Sequence, residues 1–137
     1  MKMRIIVDID NTLWPMADVL CARLKEKNPA VPPWQEWHDW FFWKRFFSDG
    51  EFYKTVEEVH LEQENHSPFP DAHFFLTSLK ALDFDIVIAS HRNPVTYDLT
   101  RRWLQITIFL TMTSTSLTIK RFYLTTSALW WTTPRLY

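Results

Sequence analysis

The stretch Met3-Arg4-Ile5-Ile6-Val7-Asp8-Ile9-Asp10-Asn11-Thr12-Leu13 decides how this chain is read. A short apolar run ends in an acid. That pattern fits a parallel strand over residues 3–8, buried on its faces, with functional groups at its carboxyl end. A second run of the same kind, Phe84-Asp85-Ile86-Val87-Ile88-Ala89-Ser90, predicts another parallel strand over 84–90.

Helical patterns fill the space between and after the two strands. Val19, Leu20 and Leu24 predict a helix over 17–27, and Pro29, Pro32 and Pro33 break it. Trp34, Trp37, Trp40, Phe41, Trp43, Phe46 and Phe47 recur at 34-37-41 and 40-43-47, a spacing that suits a helix. Ser48-Asp49-Gly50 reads as a stop. Phe52, Val56, Val59 and Leu61 then mark a helix over 51–64. Asp71 is the expected N-cap of a helix over 72–82. Asn93-Pro94 opens a last helix to about residue 104. The order strand, helical insertion, helix, strand, helix is the beginning of a doubly wound, Rossmann-like α/β fold. Ligands sit at the carboxyl ends of the strands in such folds.

The chain has 137 residues, which suits one domain over 1–137 with one core. Within it we expect a helical insertion over 15–70 and an atypical tail over 105–137. Net charge is −1, so no global field points to nucleic acid or an anionic membrane surface. Cys21 is the only cysteine and reads as a buried reduced thiol. With no signal-peptide pattern and no apolar run of the roughly 18 residues a membrane helix needs, the expectation is a cytoplasmic protein without membrane contact.

Asp8 and Asp10 carry the chemistry. Two carboxylates two residues apart at a strand end each need a partner or a cation to offset desolvation. A Mg²⁺ ion between them and a phosphate meets that need, because hard cations take oxygen ligands. One carboxylate can then attack phosphorus while the other moves the proton.

The segment Ile5-Ile6-Val7-Asp8-Ile9-Asp10-Asn11-Thr12-Leu13-Trp14 resembles the first motif of the haloacid-dehalogenase (HAD) superfamily, an apolar strand followed by Asp-x-Asp-x-Thr-Leu. Its continuation through Pro15 is similar to the opening of the superfamily's magnesium-dependent phosphatases. The resemblance implies Asp8 as nucleophile and Asp10 as general acid/base. It also implies that Asp8 and the main-chain carbonyl of Asp10 help bind Mg²⁺, and that Thr12 holds the loop and the phosphate. Asn11 stands where glycine is commonest, and Asn tolerates left-handed backbone geometry. Asp85 to Arg92 looks like the second motif, with Ser90 as phosphate ligand and Arg92 adding positive potential. Residues 15–70 fall where the family places a small helical cap that screens the site and selects substrate. The aromatic cluster in that segment either stacks on a base or sugar ring or forms the segment's own core. His91, His60 and His66 read as ordinary surface histidines. The implied activity is Mg²⁺-dependent hydrolysis of a small phosphomonoester through an aspartyl-phosphate, with a nucleotide as the first candidate. The rival expectation is a truncated, catalytically inactive HAD-like protein that at most binds phosphate or a partner.

That rival comes from the tail. All 16 acidic residues lie at or before Asp98, and from Leu99 onward the charges are all basic. The family's last motif, an acidic pair that completes the Mg²⁺ site, is therefore missing as written. Lys120 matches the third-motif lysine by position only. The genetic code offers an explanation if each codon is built from the last base of one residue and the first two of the next. The junction of Trp130 with Trp131 must then read Val, and that of Trp131 with Thr132 must read Asp. Thr132–Thr133 can again give Asp, and Thr133–Pro134–Arg135 can give Ser-Pro. Upstream, Met112–Thr113 must give Asp, Phe122–Tyr123 must give Leu, and Ile119–Lys120 gives Lys from one isoleucine codon. The shifted frame thus permits Lys followed by Val-Asp-Asp-Ser-Pro, similar to the missing motifs, with the slip near residues 103–106. The other reading is a genuine divergent tail of high β propensity. Sequencing the gene from codon 95 past codon 137 separates the two. A frameshift requires the alternative frame to stay open beyond Tyr137 and to spell the Lys and Asp-Asp motifs; a stop codon soon after the slip would make the tail genuine.

Overall fold

The computed structural model describes residues 2–109. They form a mixed α/β arrangement of four α-helices and a two-stranded parallel sheet. Strand β1 (Arg4–Val7) pairs with β2 (Asp85–Ile88) in the register Arg4↔Asp85 to Val7↔Ile88. Both expected strands are present, each shorter than the apolar run that announces it. The expectations for the tail beyond residue 109 lie outside the described residues.

The sheet is covered unequally. Ile5, Val7, Ile86 and Ile88 point to one face and join the core. On the other face Val87 is buried, but its register partner Ile6 is 70% exposed. The expectation that β1 is buried on both faces fails. Among the described residues only two strands build the sheet, and none of the helices covers the outer side of β1 over Ile6.

Helix α1 (Met16–Lys27) buries Met16, Leu20, Cys21 and Leu24 at helical spacing, and Cys21 is a free thiol as expected. Helix α2 (Asp49–Leu61) begins where the sequence reads as a stop. Ser48 is its N-cap in a full capping box: Ser48 Oγ accepts from the Glu51 N–H, and the Glu51 carboxylate accepts from the Ser48 N–H. Gly50 therefore lies inside the helix. Its far end differs as well, since Leu61 is exposed and residues 63–65 form a separate 3₁₀ turn. The α1–α2 pair is tied on its polar side by Arg23 with Glu62 and by Lys27 with Glu58 and Thr55.

The aromatic stretch 34–47 is not a helix. It contains two short 3₁₀ turns, Trp34–Glu36 and Phe42–Arg45, joined by irregular backbone. The rings do not line one helix face. Trp43 enters the core and stacks on Phe52 at 4.5 Å, while Trp37 stacks on Phe42 at 4.1 Å. Trp34 is more exposed, and its indole N–H donates to Asp18. Of the two readings of this cluster, the geometry of Trp37 and Trp43 is that of a core.

Helix α3 (Ala72–Ala81) packs on β2 and buries Ala72 and Leu76. Asp71 occupies the N-cap position but makes no capping bond through its side chain. After β2, Asn93 caps a 3₁₀ turn (Pro94–Thr96) by accepting from the Val95 N–H, and helix α4 (Tyr97–Leu104) follows. Trp103, Leu104 and Ile108 are buried, so the core extends past the end of α4.

One apolar cluster runs from Val7, Ile86 and Ile88 through Leu20 and Leu24 to Phe52 and Val59. The helical insertion thus shares its core with the sheet. Two polar ties close it onto the rest: the Phe69 N–H donates to the Leu13 carbonyl, and Trp103 Nε1 donates to the His66 carbonyl. Among the described residues no helix is long and apolar enough to cross a membrane.

Candidate functional site

The carboxyl ends of β1 and β2 lie side by side. Val7 is in register with Ile88, and the Ala89 N–H donates to the Val7 carbonyl at 3.0 Å. The chain leaves these adjoining ends through Asp8 and Ser90. The loop after β1 folds back at once: the N–H groups of Thr12 and Leu13 both donate to the Ile9 carbonyl. Asn11 makes the turn with φ of 58°, the left-handed geometry expected of a residue at this position. Its side-chain oxygen accepts from the Ala17 N–H at 2.7 Å and so satisfies one of the unpaired donors of the first turn of α1.

Each residue expected in the site has a definite place. The Asp8 carboxylate accepts from the neighbouring Ile9 N–H at 2.8 Å and is partly exposed. Thr12 is exposed on the loop. Ser90 is buried, and its hydroxyl has no hydrogen-bond partner. A buried hydroxyl left unpaired costs about 1–3 kcal/mol. An incoming ligand oxygen would recover that cost.

Asp10 and Arg92 come together, in a way the sequence does not show. Arg92 is fully enclosed, and its Nη2 donates to Asp10 Oδ1 at 2.6 Å. Its Nη1 donates to the Gln63 side-chain oxygen and, at 2.8 Å, to Thr100 Oγ1. Trp14 Nε1 donates to the same Asp10 oxygen at 2.9 Å, and His60 Nε2 lies 3.1 Å from the other. Both carboxylate oxygens of Asp10 are thus occupied from within the protein. Arg92, expected to lend its charge to a phosphate, is committed to Asp10, Gln63 and Thr100.

Sequence reasoning missed three members of this cluster. His60, read as a surface residue, is buried, and so is Gln63. The signal is spacing: His60 falls four residues after Val56 on the apolar side of α2, and Gln63 falls four after Val59, in the 3₁₀ turn that follows the helix. Trp14 gives no polar signal in the sequence, because its indole N–H matters only once the loop has turned. His91 is half-buried. Burial pushes its imidazole below the usual histidine range, and the nearby charge of His60 adds to that.

The electrostatics of Asp10 follow from its partners. Burial pushes its carboxyl up. The Arg92 guanidinium and then His60 more than offset this and hold it well below the usual carboxylate range. The Asp10 side chain is therefore ionised at neutral pH and paired with the Arg92 guanidinium. Among the described residues no group of three or more His, Cys, Asp or Glu side chains is placed to hold a metal ion. Mg²⁺ is often bound through one or two carboxylates, with waters and substrate phosphate completing its shell. Asp8 and the Asp10 main-chain carbonyl fit that minimal set; the Asp10 side chain does not.

No protein-family model matches the chain, and no curated protein gives a significant match.

The depressed acidity of Asp10 fixes a pH dependence. A carboxylate whose folded pKa is lowered contributes stability that is present above the unfolded pKa and lost as pH falls through the folded one. The stability difference between the native chain and Asp10→Asn should be largest near pH 7 and narrow as pH drops below about 4. Urea unfolding at pH 7 and pH 2 measures this; a gap of the same size at both values would contradict the pairing.

Proposed function

We propose that this chain carries the phosphoryl-transfer site of a HAD-like phosphohydrolase, in an incomplete version of the doubly wound α/β fold. The observation that carries the proposal is the adjacency of Asp8 and Ser90 at the carboxyl ends of neighbouring parallel strands, with the Ser90 hydroxyl buried and unpartnered. Such strand ends are where this class of sheet binds its ligands. The substrate class is a small phosphomonoester.

The chemistry runs in two steps. An Asp8 carboxylate oxygen attacks phosphorus, and the bond from phosphorus to the leaving oxygen breaks, giving an aspartyl-phosphate and the leaving group. Water then attacks that phosphorus and gives its proton to Asp10, and the bond to Asp8 breaks to release phosphate. Ser90 donates to a phosphoryl oxygen, exchanging its orphaned state for a charge-assisted hydrogen bond. Asp8 and the Asp10 main-chain carbonyl would hold a Mg²⁺ ion, which would supply charge neutralisation for the phosphoryl oxygens. Asp10 is unprotonated in the second step, as an acceptor must be, but its depressed acidity range makes it a weak base there. In the first step it has no proton to give, so substrates whose leaving group departs as a stable anion are favoured. An aryl phosphate is therefore the sensitive probe.

The second reading is phosphate binding without turnover. It is favoured by the internal pairing of the Asp10 side chain and by the lack of any acidic residue after Asp98. Hydrolysis of p-nitrophenyl phosphate by the full chain, with and without Mg²⁺, tests both readings. We expect Mg²⁺-dependent turnover that falls by at least roughly 10³-fold in Asp8→Asn. Turnover that survives in Asp8→Asn would sink the mechanism. Phosphate binding by calorimetry without any turnover would establish the second reading instead.

A further inference from the structure

The helical insertion does more than pack against the site: it reaches into it with one side chain. His60 lies in the last turn of α2, is buried, and places Nε2 3.1 Å from Asp10 Oδ2. The opposite oxygen, Oδ1, receives Arg92 and Trp14. Asp10 is therefore gripped on both oxygens by donors from three separate parts of the chain: its own loop, the insertion, and the loop after β2. Because Asp10 is ionised, Nε2 is the donor in its contact with His60.

We propose that His60 is a positioning residue for the reaction, fixing the orientation of the Asp10 carboxylate through a single hydrogen bond from the insertion. The proposal rests on the phosphohydrolase reading. Arg92 and Trp14 hold one oxygen and leave the carboxylate to turn about that point. A second donor on the other oxygen removes the remaining rotation. Catalytic groups lose much of their effect when they sit an ångström out of place. The contribution of His60 is a placed N–H, which a side-chain amide can also supply.

Gln63 ties the same arrangement together from the next turn. It accepts from Arg92 Nη1, so the insertion contacts both Asp10 and the cation that pairs with it. Gln63 and His60 thus fix the insertion to the site along one face. That placement differs from a lid, which would part from Asp10 to admit substrate.

The test uses the full chain with Mg²⁺ and p-nitrophenyl phosphate, comparing His60→Ala and His60→Gln with the native protein. A glutamine amide nitrogen can occupy the place of Nε2 and donate without titrating. We expect His60→Ala to lower kcat roughly 10- to 100-fold, the range of one lost hydrogen bond to a charged group, with KM within about twofold. His60→Gln should recover most of kcat. Thermal unfolding of both variants accompanies the assay, because a residue that merely packs would lose stability and kcat together in both. An active native protein with kcat unchanged in His60→Ala overturns the proposal and leaves the phosphohydrolase reading standing. Equal loss in the alanine and glutamine variants also overturns it. A native chain without turnover overturns the phosphohydrolase reading, and the proposal with it.

Discussion

The ion pair between the enclosed Arg92 guanidinium and the Asp10 carboxylate is the constraint on which the rest depends. An arginine taken wholly out of water costs several kcal/mol unless its donors are satisfied. Here the two terminal nitrogens are met by Asp10 from the first loop, Gln63 from the insertion and Thr100 from α4, while Nε is buried without a partner. Three segments far apart in sequence must converge for that burial to be tolerable. Removing one partner of such a pair typically costs roughly 3–5 kcal/mol, because the other charge is left buried alone. The network thus specifies how the insertion sits on the sheet more than it adds to net stability.

The same pair shapes the chemistry. A carboxylate held ionised by an enclosed guanidinium, with donors on both oxygens, has no proton to give at neutral pH and is a weak base. The site therefore divides its two acids by environment. Asp8, the proposed nucleophile, is partly exposed at the strand end. Asp10, gripped from the protein side, is oriented and charged. Ser90 lies two residues past the end of β2 and has a buried hydroxyl with no partner.

What the sequence made legible is what short-range patterns encode. The two apolar runs that end in Asp8 and Ser90 became adjoining parallel strands. The left-handed turn at Asn11 follows from the tolerance of that residue type. Three features were not legible, each for a physical reason. The 34–47 stretch has aromatic spacing that mimics a helix, yet its rings go to separate places, with Trp43 on Phe52 and Trp37 on Phe42. Ser48-Asp49-Gly50 looks like a terminator, but the Ser48–Glu51 capping box makes it a helix start. The commitment of Arg92 to Asp10 is a tertiary contact across 82 positions that no local signal carries. His60 and Gln63 stood in between: the apolar spacing of α2 and the turn after it marked them as buried, but not what they would meet.

The exposed outer face of β1 at Ile6 and the lack of acidic residues after Asp98 belong together in this account. Both fit the proposal of an incomplete doubly wound sheet. The central proposal is that Asp8 receives a phosphoryl group. The most direct measurement is acid-quenched incubation of the full chain with Mg²⁺ and an aryl phosphate, followed by mass-spectrometric mapping of the N-terminal peptide. The account predicts a phosphoryl group on Asp8. Release of the aryl product with phosphate trapped on another residue would contradict it.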